Sequence, residues 1–211
     1  MDIISSIKKA WNIAIHPSKA TPMGIKDALI FYYSFAIIPA IITGILAAVL
    51  TGTGISGAVI EIAAILILAP IVFFVEAALI HLFGKFLFRK FQKPYATTFT
   101  TITFASIPAA LFSWLILITS ISVPVSTAVS IIFDIWAVII LTIAIMKLQK
   151  TSGLFAVLSW LVPLIIILII VTVIIAALLS IVATLPGGLG ALQNGTLNST
   201  LIHTFNVTTT I

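Results

Sequence analysis

DIWAVIILTIAIMKLQKTSGLFAVLSWLVPLIII, residues 134–167, sets two long apolar runs on either side of a short turn that carries Lys147 and Lys150. A helix needs about 20 mainly apolar residues to cross a hydrocarbon core about 30 Å thick. Each run, extended outward, meets that length. Lys and Arg accumulate in cytoplasmic loops, so the basic turn reads as the inner corner of a helical hairpin that crosses a membrane twice.

The same pattern repeats toward the N-terminus. Lys8, Lys9, Lys19 and Lys26 precede the first apolar run, and Lys85, Arg89, Lys90 and Lys93 separate the second from the third. These eight and the two of the hairpin turn are all ten Lys and Arg residues of the chain. Every second turn between runs is therefore basic, and the others carry no formal charge. The alternation predicts five spans, a cytoplasmic N-terminus and an external C-terminus. The spans are expected at 28–50, 58–80, 99–119, 125–146 and 154–183. Pro39, Pro70, Pro108 and Pro163 fall inside four of them and are expected to kink or break the helices.

Composition agrees. The 211 residues are 62% hydrophobic and 7% charged, whereas a soluble domain carries roughly a quarter charged residues. So few polar groups cannot cover a soluble fold of this size. The expected class is all-α: a multi-pass membrane protein, with a cytoplasmic segment at 1–27, a five-helix domain at 28–183 and an external tail at 184–211. The net charge of +5 lies in loops beside spans, where orientation and anionic lipid account for it, so nucleic acid is not expected as a partner. There is no Cys, which excludes disulfides, thiolate metal sites and a Cys nucleophile. Met1–Thr21 lacks the long apolar core of a cleavable signal peptide.

Residues 2–15 read as an amphipathic helix, with Ile4, Ile7, Trp11 and Ile15 at helical spacing and Lys8, Lys9 and Asn12 turned away. Such a helix suits either a headgroup interface or the protein's own spans. HLFGKFLFRKFQKPY, from His81 to Tyr95, interleaves aromatic and basic residues. Lys85, Arg89, Lys90 and Lys93, together with Trp11, are the expected contacts for membrane lipid or a protein partner at the cytoplasmic face.

Three acidic residues fall inside spans. An ionisable group in hydrocarbon costs several kcal/mol, at least ~2.5 on insertion scales, so each needs a partner or water. Glu61 is expected at the outer interface. Glu76 is expected to pair with loop lysines near the inner end. The two are 15 residues apart, about 22 Å along a helix, too far for one acid–base pair. Asp134 lies near mid-membrane and is expected to point into the bundle. There it is either protonated and hydrogen-bonded, or faces water or a cation. His81 opens the basic segment and completes this set of candidate polar residues. No HExxH, GxSxG or GxxxxGK[ST] motif occurs, so no metal, cofactor or catalytic residue is expected. FAIIPA at 35–40 and FASIPA at 104–109 are similar, which reads either as a trace of a two-span repeat or as chance.

Several of these segments, in order, resemble the Yip family of five-span membrane proteins, named for interaction with Ypt/Rab GTPases, in its bacterial and archaeal form. They are HPSKATPMGIKDALIFYYSFAIIPAII (16–42), FFVEAALIHLFGKF (73–86), FASIPAALFSWL (104–115) and the stretch quoted first. The resemblance covers about residues 12–182 and implies the same topology that the charges give. The chain departs from the eukaryotic members in lacking a long N-terminal region and an Asp-Leu-Tyr-Gly-Pro-like stretch. What the resemblance implies is a non-enzymatic scaffold or adaptor in membrane organisation or trafficking-like processes. The alternative expectation is a transporter, channel or accessory subunit of a transport complex that uses a buried Asp134. A membrane-embedded hydrolase ranks behind both, for want of reacting groups.

The tail from Leu185 to Ile211 has no charged side chain and three N-x-[ST] sequons, at Asn194, Asn198 and Asn206. Glycan acceptors belong outside, where the span count puts this tail. Protein from a glycosylating host is expected to be heavier than its Asn→Gln triple variant by at least one glycan. Equal masses, after correction for the substitutions, refute the assignment.

Overall fold

The computed structural model describes residues 3–184 apart from Ile121; the tail and its sequons lie outside the described residues. The described residues are 88% helical, and no strand occurs among them. The helices are α1 (Ile3–Ile15), α2 (Ile25–Thr51), α3 (Gly54–Ala63), α4 (Ala69–Leu82), α5 (Tyr95–Ala105), α6 (Ile107–Thr119), α7 (Val123–Gln149) and α8 (Gly153–Thr184). A π-helical segment, Ala64–Leu68, joins α3 to α4, and a second, Phe83–Leu87, follows α4. Five stretches are long and apolar enough to cross a membrane: Ile25–Thr51, Gly54–Leu87, Tyr95–Thr119, Val123–Gln149 and Gly153–Leu178. The protein is an all-α, five-span membrane protein, as its charge alternation predicts.

The observed second and third spans run beyond the expected bounds at the end that carries the lysines. The second continues to Leu87 and the third starts at Tyr95. The opposite ends are closed by very short turns. Gly52, at φ +68°, takes the left-handed conformation that ends α2 with little steric cost.

The chain divides into two compact units, 1–163 and 164–211. In the first, α5 is the central element. Eight consecutive residues, Thr97 to Phe104, are buried, so this helix is enclosed on every side. Its threonines survive there because their hydroxyls bond back to the helix. Thr100 donates to the Ala96 carbonyl, Thr101 to Thr98 and Thr103 to Phe99, at 2.6–3.1 Å. The hydroxyl is thereby hidden and a compact β-branched surface is left for packing. Phe31, Tyr32 and Phe35 of α2 pack edge-to-face with Phe104 and Phe73 to form the aromatic heart of the unit. Gly44 lets α2 approach α3 closely. A Cβ there would lie 2.8 Å from the Ala58 carbonyl oxygen and 2.6 Å from Ile62. Such small-residue contacts are how helices associate where lipid is the solvent. Of the second unit, the described course is the remainder of α8, whose large side chains from Leu164 to Leu178 are exposed. That is the pattern of a lipid-facing rod.

The prolines act unequally. Pro108 follows a break at Ser106 that separates α5 from α6, and Pro70 follows the first π segment. Pro39 and Pro163 sit inside α2 and α8, which they do not break. One lost backbone bond is tolerable when neighbouring turns and helices hold the rest.

Pro70 has a specific compensation. In the π register, Ala69 donates its N–H to the Ala64 carbonyl. The next donor in that register, for the Ile65 carbonyl, is residue 70, and proline has no N–H. The Tyr32 hydroxyl reaches across from α2 and donates to the Ile65 oxygen at 2.6 Å. Tyr32→Phe keeps the ring and strands that carbonyl, so it should cost about 1–3 kcal/mol. The thermal unfolding midpoint in a fixed detergent measures this. In a Pro70→Ala background the new N–H supplies the missing donor, and the penalty for losing the hydroxyl should shrink. An unchanged penalty would show that the carbonyl is not what Tyr32 serves.

Candidate functional site at the basic end

The segment between the second and third spans is long, basic and aromatic, yet it is fastened at several points. The π segment Phe83–Leu87 ends with the Phe88 N–H on the Phe83 carbonyl at 2.9 Å. The Gly84 carbonyl then accepts two donors, Lys90 N–H at 2.9 Å and Phe91 N–H at 3.1 Å. Arg89, at φ +54°, takes the left-handed turn that makes this return possible. The Phe91 ring folds beneath Gly84, where a Cβ would come within 2.5 Å of it. Glycine is required here by a close approach, since Gly84 itself is not left-handed.

Further along, the Lys93 N–H donates to Gln149 Oε1 at 3.0 Å. Gln149, at the end of α7, is fully buried and donates through Nε2 to Thr98 Oγ1 at 2.8 Å. Thr98 Oγ1 lies 2.8 Å from His81 Nδ1. The Thr98 hydroxyl, with one donor hydrogen and two acceptor lone pairs, can accept from Gln149 and bond His81 Nδ1 in either tautomer of the ring. His81 is buried with its ring beside Phe91 and Tyr95. One chain of hydrogen bonds thus links the second, third and fourth spans to the basic segment. Tyr95 adds another tie through its hydroxyl, which donates to the Phe74 carbonyl at 2.8 Å.

The cations ride on this frame. Lys85, Arg89 and Lys90 are exposed and Lys93 is half-buried, while Lys147 and Lys150 are exposed beside them in sequence to Gln149. The Lys90 ammonium sits 4.9 Å from the centre of the Phe155 ring in α8. At that distance the cation is attracted by the ring face.

The N-terminal helix resolves between its two expectations. Ser6, Ala10, Ile13 and Ala14 are buried against the spans, with Ile7 partly buried. Trp136 Nε1, from the middle of α7, donates to the Ala14 carbonyl at 2.9 Å and satisfies one of the orphan acceptors at the end of α1. Thr100 likewise serves Met23, with its hydroxyl near both the carbonyl and the N–H at 2.9 and 3.3 Å. Ile4, Trp11 and Ile15, expected on the apolar face, are exposed, whereas Ile7 of the same set is partly buried.

The acidic candidates are not brought together. Asp134 is exposed on α7 and does not point into the bundle. The neighbouring Phe133 and Trp136 take the inward positions, stacked with Phe112 of α6. Glu76 is also exposed, and among the described residues it forms no ion pair with the lysines. The second span carries Lys85 several turns further along, beyond reach of its carboxylate. Glu61 is half-buried in α3. Among the described residues no group of three or more His, Asp or Glu side chains converges as metal ligands would. A cleft of about 290 Å³, lined by Tyr32, Ile65, Phe73, Ser106, Ala109 and Ser113, lies where both helix irregularities meet. Its polar groups are already engaged: Tyr32 with Ile65, Ser106 with Thr103, and Ser113 with Thr43 at 2.7 Å.

This geometry defines a class, a multi-pass helical membrane protein with a preformed basic surface at one end. No family model, no curated protein and no solved structure matches the chain.

Sequence reasoning reached His81 and the four cations of the segment. It missed Thr98 and Gln149, which hold them. The signal was present in ATTFTTITF at 96–104, a threonine density unusual for a span, and in Gln149, between Lys147 and Lys150 at a span end. Thr98→Val preserves shape while leaving His81 Nδ1 and Gln149 Nε2 unpaired in a buried site. It should cost about 1–3 kcal/mol and loosen the segment, seen as faster amide exchange at Lys93. Thr98→Ser should retain most of the protection. Equal exchange in the Val variant and the parent refutes the linkage.

Proposed function

We propose that this chain is a non-enzymatic membrane adaptor of Yip-like type, with its basic end in the cytoplasm. The observation that carries the proposal is the fastening of residues 83–95. A loop held by Gly84, Phe91, Gln149 and Tyr95 presents Lys85 and Arg89 without further ordering, so a partner pays little entropy on docking. The chemistry it suits is acidic: a carboxylate-rich protein segment assisted by anionic lipid around it. The orientation follows from the lysine distribution. The kinship is supported by the quoted motifs and their order along the chain. The transport alternative loses one of its supports, because Asp134 lies exposed on α7, and keeps the proline-interrupted spans and the FAIIPA/FASIPA similarity.

Lysine-directed cross-linking of native membranes, followed by mass spectrometry, should capture a recurrent partner at Lys85, Lys90 or Lys93. Lys85→Glu with Arg89→Glu should weaken that capture several-fold. Raising salt toward 1 M, where the Debye length falls to about 3 Å, should do the same. Recurrent capture that ignores both the charge reversal and the salt would remove the proposal, as would no capture at all.

A further inference from the structure

The N-terminal helix has more apolar surface than the spans cover. Its depth and tilt follow from three contacts. The Lys9 ammonium lies 5.4 Å from the centre of the Phe31 ring in α2. The Trp11 ring meets Phe112 of α6 edge-on at 6.1 Å. The Ala14 carbonyl accepts from Trp136 of α7. A helix that touches three different spans within six residues lies across them and not along any one.

Its level is set by counting from the opposite, uncharged end, where short turns close α2 and open α7. From Thr51 back to Phe31 is about 30 Å of helix, and from Val123 to Trp136 is about 20 Å. A hydrocarbon core about 30 Å thick that starts at those turns therefore ends near Phe31 and has Trp136 about 10 Å beneath its surface. Between these marks α1 occupies the depth of an interfacial helix, about 5–10 Å below the boundary.

The orientation of α1 about its own axis agrees. Lys9 lies on the boundary side and Trp11 on the deep side. Ile4 and Ile15 share the Trp11 side, and the three are 62%, 50% and 47% exposed for Ile4, Ile15 and Trp11 respectively. Exposed Ser5 and Asn12 lie about a quarter turn round the helix from this stripe, toward the Lys9 side, and exposed Lys8 falls at the edge of the stripe, placed to reach a lipid phosphate. The stripe faces hydrocarbon and the polar side faces headgroups, so the occupant of this face is the bilayer itself.

No described element lies at the matching depth of the other leaflet. Among the described residues of the first unit, α1 therefore adds the area of one helix, about 20 Å by 10 Å, to the basic-end leaflet alone. We infer that α1 is a one-leaflet wedge that draws the protein to membranes curved with the basic-end leaflet on the convex side. This goes beyond the adaptor reading and does not depend on it, since the platform at residues 83–95 needs no curvature.

The chain lacks Cys, so Asn12→Cys gives a single labelling site on the exposed polar side. The full chain with this substitution is reconstituted into giant vesicles containing phosphatidylglycerol. It is then labelled from outside with a membrane-impermeant fluorophore, so that only molecules with the basic end outward are seen. A tether is pulled, and protein signal is compared with a lipid dye in tether and vesicle. The expected result is several-fold enrichment in narrow tethers, rising as the tether narrows. Ile4→Ser with Ile15→Ser leaves Trp11 and the buried face in place and should bring the ratio most of the way to that of the lipid dye. A parent ratio equal to that of lipid overturns the inference, as does full enrichment in the double variant. Enrichment that follows protein density instead of curvature would place a second copy on the stripe and overturn it too.

Discussion

Hydrocarbon offers no hydrogen bonds, and the first unit of this protein is arranged around that fact. Departures from a regular α-helix free backbone groups, and at several of them a side chain from another element receives or supplies the bond. Tyr32 answers the carbonyl stranded by Pro70. Trp136 answers the end of α1, and Thr100 answers Met23. These bonds are also the cross-links between helices. The irregularities consequently fix which helices lie together, in a solvent where apolar attraction between helices is weak.

The helices outreach the bilayer, and the excess is collected at one end. A 34-residue second span is about 50 Å long against a core of about 30 Å. With short turns at the other end, the surplus turns of α2, α4, α5 and α7 stand clear at the basic end. There they form a collar whose interior is polar where it can be: His81, Thr98 and Gln149. The same collar explains how a threonine-rich helix can be the most buried element of the unit. Its polar turns sit among other protruding helices, and its hydroxyls are engaged either by its own backbone or, at Thr98 and Thr100, by neighbouring elements.

Span number and type were legible because they depend on composition over about 20 residues, which averages out local detail. Span ends were less legible. The second span was expected to stop at the first polar residue, His81, yet a buried partner on Thr98 carries it to Leu87. Asp134 shows the limit from the other side. An acidic residue at mid-span was assigned inward on energetic grounds alone. The aromatic trio Phe112, Phe133 and Trp136 claimed the interior instead, and helical spacing then turned Asp134 out. For α1 the sequence gives an apolar arc but not which part of it meets protein, since both lipid and protein are apolar surroundings. Thr98 and Gln149 were invisible as a pair because 51 residues separate them.

The bond from Trp136 to the Ala14 carbonyl has a consequence for how the chain is made. Its ends are 122 residues apart, and the acceptor is synthesised first. At about 5–20 residues per second, roughly 6–25 s elapse before the donor exists. Throughout that interval α1 has no fourth span to rest on, while Lys8, Trp11 and their neighbours already suit a lipid surface. A helix made before all the spans it touches is thus seated only once the fourth span has been made.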